Sequence, residues 1–241
     1  SNLISPFDIS RFNLALQSPK NFNQRTVEEF YIPRAKITGP FIHDFIDDGE
    51  IGYIRYGSFL AGIDDRTLDH LINRYENTKG LIIDLRENGG GALNNVMPML
   101  ERFVTQRTLA AYAITRNGPG RNDFGPRESF YINPSDSILY NNPVMVLIDR
   151  GSYSATTFFA LLCKSIPSVT LVGDTTGGGG GLPNGGQLPN GWTYRFSISQ
   201  LLDLNGDSFA EDGVPPDIFA SFDWSDITKD EILERAIEEL Q

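Results

Sequence analysis

A serine at the junction of a buried strand and a helix is the residue of this chain best placed for covalent chemistry. Pro143 to Asp149 reads PVMVLID, an apolar run without polar alternation, as in a strand buried on both faces of a largely parallel sheet. Gly151-Ser152-Tyr153 breaks that run. Ser154 then opens SATTFFALL, whose Phe158, Phe159, Leu161 and Leu162 suit a buried helix. The free N–H groups and positive dipole end of a helix N-terminus stabilise an anion, so a serine oxygen attacking a carbonyl there would have its developing oxyanion met by prearranged donors. A plain N-cap is the competing role for Ser154.

Other chemistries are poorly supplied. The lone Cys163 lies among Leu162, Leu161 and Phe159 and reads as a small buried hydrophobe. His43 and His70 are far apart and neither has a ligand-like neighbour at helical spacing, so no metal site is assigned and no cofactor is expected. Asp203-Leu204-Asn205-Gly206-Asp207 fails as a calcium loop, with Ser208 where glycine is needed and Val214 where glutamate is needed. A turn is the expectation there. Glu87-Asn88-Gly89-Gly90-Gly91-Ala92 matches neither GxGxxG nor a phosphate loop, yet three adjacent glycines let a backbone approach a ligand with its N–H groups exposed.

The elements that must position these residues are those of an α/β protein. EIGYIRYGSF reads as an alternating strand, and Asp64 or Asp65 caps a helix to about Asn77 with Leu68, Leu71, Ile72 and Tyr75 on one face. GLIIDLR begins the next buried strand, completing a right-handed crossover unit. The glycine turn then feeds a helix containing Val96, Met97, Leu100 and Phe103. TLAAYAITR and SFYINP follow as strands that could pair, and VTLVG comes after the Ser154 helix. The glycines from 177 to 181, and GLPNGGQLPNGW beyond them, make no regular structure by themselves. WTYRFSISQLL alternates as an antiparallel edge, and DEILERAIEEL is an amphipathic packing helix. Near the start, FNLALQ and VEEFYIPRAKI could form a hairpin around a polar turn.

At 241 residues the chain can bury a real core. Its net charge of -11 argues against nucleic acid or an anionic membrane surface as a partner. No apolar stretch approaches bilayer-spanning length and no signal peptide opens the sequence.

GSYSAT followed by LVGDTTGGG, with GLIIDLRENGGG upstream and EDGVPPDI downstream, resembles the C-terminal processing (tail-specific) peptidase family, and more closely its tricorn-like branch. The resemblance implies a crotonase/ClpP-like α/β core with a largely parallel sheet flanked by helices. It implies a partial or vestigial PDZ-like segment over residues 1–40 and a catalytic core over 41–241. The implied activity is that of a serine endopeptidase, a hydrolase that cleaves polypeptides bound as an extended strand. Ser154 would be the nucleophile, the N–H groups of Gly90 and Ala155 the oxyanion hole, and Gly177, Gly178 and Gly179 part of the substrate groove. Asp84 and Arg86 match the family's DLR and read as a structural pair. Location would be periplasmic, cell-envelope or secreted, with membrane association only through an N-terminal anchor upstream.

The base is where the pattern departs. In the processing branch a lysine follows LVG, and the same alignment puts Gly179 in its place, which excludes a Ser/Lys dyad there. The tricorn-like branch uses a histidine from upstream of its PDZ module, oriented through residues that include a glutamate near GVxPD. Glu211 best matches that glutamate, with Asp212 as substitute, and this chain starts too late to hold the histidine. Thr157 replaces an acidic residue of many relatives. Two functions stay open: an endopeptidase whose base lies upstream, or a catalytically silent peptide-binding or scaffold homologue. By itself the chain is expected to be inactive or nearly so.

Overall fold

The computed structural model describes residues 20–120 and 122–241. At its centre seven strands form one mixed sheet. In spatial order they are β1 (Lys36–Thr38), β2 (Phe41–Ile46), β3 (Ile51–Tyr56), β4 (Gly80–Asp84), β7 (Val144–Ile148), β8 (Val169–Gly173) and β12 (Ile218–Phe219). From β3 to β12 all neighbours are parallel, while β1 and β2 join antiparallel. GLIID and VMVLI are thus adjacent inner strands, buried at every residue. The mostly parallel α/β core expected from the sequence is present.

Strand alternation divides the core into two layers. Leu81, Ile83, Val144, Val146 and Ile148 face one side, where they meet Leu68, Leu71 and Ile72 of helix α2 (Asp65–Tyr75) and Phe159 of helix α4 (Ala155–Cys163). Ile82, Met145 and Leu147 face the other, against Ile232, Leu233, Ala236 and Ile237 of helix α5 (Glu231–Glu238). Asp64 caps α2 through Thr67 N–H, and Asp230 caps α5 through Leu233 N–H. A smaller antiparallel sheet orders β11 (Ser199–Leu202), β5 (Thr108–Thr115) and β6 (Glu128–Ile132). The hairpin of β9 (Pro183–Gln187) and β10 (Thr193–Ser197) stands exposed.

Several expectations need correction. FNLALQ lies outside the described residues. VEEFY is no strand: helix α1 (Gln24–Thr26) runs into a π turn, Val27–Tyr31, with Ile32 N–H bonded to Val27 O. Asn23 caps it, and the Gln24–Glu28 and Arg25–Glu29 pairs support helix at i,i+4 spacing. β3 is buried on both faces, since β2 and β4 flank it and helices cover it, and this hides the alternation read in its sequence. The helix expected around Val96 to Phe103 shrinks to a 3-10 turn, Leu93–Asn95, and one turn of α3 (Met97–Leu100). PNGGQ does form a strand because β10 pairs along it, and WTYRFSISQLL divides between two sheets at Ile198.

Asp84 and Arg86 belong to a buried cluster. Arg86 donates to Asp84 through Nε (3.0 Å) and Nη2 (2.7 Å), and through Nη1 to Asp230 (2.8 Å). All three residues are buried, and Tyr53 OH adds a 2.8 Å bond to Asp84. Burial alone would raise the Asp84 carboxyl, but the Arg86 guanidinium, the Arg55 charge and the Tyr53 hydroxyl together outweigh it and hold the group below the ordinary range. The DLR motif therefore ties the central strand to the cap of the last helix.

His43, in β2, contacts Tyr75 OH through Nδ1 (2.7 Å) and Thr38 Oγ1 through Nε2 (2.9 Å). Burial, then the nearby Arg74 charge, pushes its imidazole down from 6.5 to about 4. The folded state thus prefers neutral His43, so this stability is present above the unfolded-state value and is lost as pH falls through the folded one. Urea melts are expected to show wild type losing stability between pH 6.5 and pH 4 more steeply than His43→Gln does. Equal slopes would place the acid sensitivity elsewhere.

Candidate active site

Ser154 stands between β7 and α4 with φ 59° and ψ -115°, a left-handed backbone that side chains rarely adopt. It occupies the N-cap position, but its side chain makes no capping bond. The hydroxyl has no hydrogen-bond partner among the described residues and is half-buried in a cleft of about 490 Å³. The plain capping role is excluded. Ala155 N–H, the next donor, has no hydrogen-bond acceptor among the described residues.

The glycine turn after β4 meets the serine turn directly. Tyr153 N–H and Thr156 Oγ1 both donate to Asn88 O (3.0 and 2.9 Å), and a Cβ built on Gly90 would stand 2.9 Å from Ser154 Cβ and 2.8 Å from Ala155 N. Gly90 has φ 93°, so the approach and the backbone both demand glycine. Its N–H, however, is held by Asn88 Oδ1 at 3.0 Å, whereas Ala155 N–H is unengaged. The two expected oxyanion donors are brought together but are not equivalent.

Asp149 fastens these turns from beneath. Its Oδ1 accepts from Glu87 N (2.9 Å), Gly151 N (3.0 Å) and Ser152 N (3.1 Å), so one buried carboxylate oxygen joins both segments. Oδ2 is buried without a hydrogen-bond partner among the described residues, and burial pushes the carboxyl up. Asp149→Ala orphans the N–H groups of Glu87 and Gly151, while Ser152 N–H keeps its bond to Asp149 O (3.0 Å), and it is expected to cost about 2–4 kcal/mol. Asp149→Asn keeps an acceptor at the same place and removes the buried charge. Its urea midpoint should stay within about 1 kcal/mol of wild type, and an equal loss in both variants would refute the clamp.

The glycine strip divides by alternation. Gly177 and Gly179 line the cleft with Tyr153, Phe196 and Glu211, whereas Gly178 is buried and its carbonyl accepts from Ser154 N (2.9 Å) and Thr157 Oγ1 (2.7 Å). Gly178, expected in the substrate groove, thus anchors the serine turn and does not line the cleft. Thr157 is held by neutral bonding, since its hydroxyl also lies 3.1 Å from Thr176 Oγ1, which accepts from Val214 N (2.8 Å). Glu211 is exposed at the cleft and its carboxylate has no partner among the described residues. Asp217 of GVPPD bonds Leu171 N (2.8 Å) and Lys164 (2.6 Å), a structural role. His43 is enclosed in β2, three strands from β7, and His70 is exposed on α2. The sequence did not single out Asp149, Asn88, Tyr153, Arg195 or Phe196. For Asn88 and Asp149 a polar residue beside a tight turn was the available signal.

The fold and this junction define a class, the ClpP/crotonase-like α/β proteins with a serine at a strand-to-helix turn. Residues 50–220 match the profile of Peptidase family S41, and the chain belongs to that family, which implies a hydrolase. It is similar to the crystal structure of a putative peptidase from Parabacteroides merdae, at 39% identity and TM-score 0.91, covering 99% of this chain and 76% of that one. It is 29% identical over 140 residues to carboxy-terminal processing protease CtpB of Bacillus subtilis, covering 58% of this chain and 27% of the relative. The chain therefore spans about a quarter of that relative's length. The crystal structure of the tricorn protease shares the fold at TM-score 0.50 and 21% identity, over 80% of this chain and 18% of that one. Among the described residues no helix is long and apolar enough to cross a membrane.

Proposed function

We propose that this chain carries the nucleophile half of a serine endopeptidase of the C-terminal processing, tricorn-like type. The observation that carries the reading is Ser154: a left-handed, uncapped serine beside the free Ala155 N–H on the floor of an open cleft. Ser154 Oγ attacks a peptide carbonyl, a base takes its proton, and Ala155 N–H meets the carbonyl oxygen as it becomes an oxyanion. Gly90 N–H joins as a second donor if it leaves Asn88 Oδ1. The base comes from outside this chain, because neither histidine faces Ser154, Gly179 has no side chain, and a carboxylate such as that of Glu211 is a weak acceptor for a serine proton. Glu211 instead orients that base.

Missing proton transfer removes on the order of 100 to 10,000-fold in rate, so casein cleavage by this chain alone should be at background. A version extended upstream should cleave, a fluorophosphonate should label it, and Ser154→Ala should abolish both. Serine-dependent turnover by the short chain at the extended chain's rate would locate a base within these residues. The second reading, a silent peptide-binding homologue, is favoured by the engagement of Gly90 N–H with Asn88. It predicts peptide binding with no labelling in either version. A periplasmic, envelope or secreted location goes with either reading, and fractionation of the native host tests it.

A further inference from the structure

Tyr153 occupies space that a side chain from position 179 would need. A Cβ on Gly179 would lie 2.4 Å from Cζ and 2.8 Å from Cε1 of the Tyr153 ring, and the backbone there has φ 74°. Near Gly177 the same ring comes within 3.2 Å of a Cβ position. One side of the ring thus lies on the glycine strip. The rest is open, leaving Tyr153 48% exposed beside Ser154 in the cleft.

The hairpin brings a second aromatic residue to the same cleft. Phe196 is 46% exposed and stacks on Tyr194, with ring centroids 6.1 Å apart at 11°. Large apolar surface left in water around a concave site marks binding, since covering it releases free energy. The charged residues of the cleft, Arg195 and Glu211, have opposite signs, so charge does not select an acidic or a basic ligand.

We propose that Tyr153 and Phe196 form a subsite for one large apolar side chain, aromatic or branched aliphatic, of a polypeptide lying in the cleft next to Ser154. The proposal rests on reading the cleft as a peptide groove and deepens that reading. The place from which a lysine would reach the serine has become binding surface. Gly179→Lys therefore will not install a base, because the new side chain meets the ring and the left-handed backbone.

The test uses binding, which needs no turnover. The full chain bearing Ser154→Ala is titrated by fluorescence anisotropy with labelled ten-residue peptides of Gly, Ala and Ser whose fifth residue is Phe, Leu, Lys or Asp. The Phe and Leu peptides should bind on the order of tenfold more tightly than the Lys and Asp peptides. Adding Tyr153→Ala should bring all four within about twofold, and Tyr153→Phe should keep the preference. Phe196→Ala, on an exposed hairpin away from the core, should weaken the preference in the same direction, which guards against a Tyr153→Ala variant that misfolds. Binding without preference, a preference for Lys or Asp, or a preference unchanged in both alanine variants overturns the subsite alone. Failure of all four peptides to bind overturns the peptide-groove reading as well.

Discussion

Replacing Arg86 by methionine is expected to cost about 3–5 kcal/mol of stability. The substitution removes the guanidinium bonded to both Asp84 and Asp230 and leaves two buried carboxylates, with Arg55 reaching Asp84 at a long 3.5 Å. Isolated charges in such surroundings take up protons or unfold the site. In Arg86→Met the loss should therefore be largest near neutral pH and shrink in mild acid. Adding Asp84→Asn and Asp230→Asn to Arg86→Met should recover part of the loss, because the amides carry no charge. Urea denaturation of the three proteins measures this directly. A single variant within 1 kcal/mol of wild type would mean that the cluster is solvated and contributes little.

If a version extended upstream is active as proposed, Gly90→Ala in it is expected to lower the rate of serine labelling by roughly 100-fold or more. The new methyl would sit 2.6 Å from Tyr153 O as well as against Ala155 N and Ser154 Cβ, so the two turns must separate and the N–H groups of Gly90 and Ala155 move with them. Its left-handed backbone adds about 1–2 kcal/mol of strain. Gly89→Ala is the control, since a Cβ there meets nothing within 4 Å. It should label at close to the wild-type rate. Fluorophosphonate labelling rates of the two variants, beside their melting temperatures, separate displaced donors from simple unfolding. Equal rates for both would remove the glycine turn from the oxyanion site.

What was legible in the sequence was what depends on local pattern. The unbroken apolar runs of β4 and β7 specify inner strands of a parallel sheet, and the motifs at their ends place Ser154 beside Gly90. Partners set by tertiary contact were not legible. VEEFY could pass for a strand, because the i,i+4 pairs of Gln24 and Arg25 compete with β-branched and aromatic residues, and burial of Val27 and Ile32 decides the outcome. PNGGQ lacks strand propensity and becomes one only because β10 lies opposite it. At the site, Asp149 reads as an ordinary residue after a strand until Glu87 N–H arrives from another segment. Likewise, the different engagement of the Gly90 and Ala155 N–H groups depends on which way Asn88 turns.

The bond between Arg86 and Asp230 spans 144 positions of chain, and it orders events during folding. β4 pairs with β7 across some 60 residues, so neither inner strand can find its neighbour from local contacts. Loop closure must come first, which makes such sheets slow to assemble. During synthesis, β4 emerges with Arg86 and Asp84 long before Asp230 exists. Until then the guanidinium has one of its two carboxylates, and the sheet face later covered by α5 exposes Ile82, Met145 and Leu147. That interval is when the nascent protein is most prone to aggregate, and cooperative closure is expected to wait for the final helix.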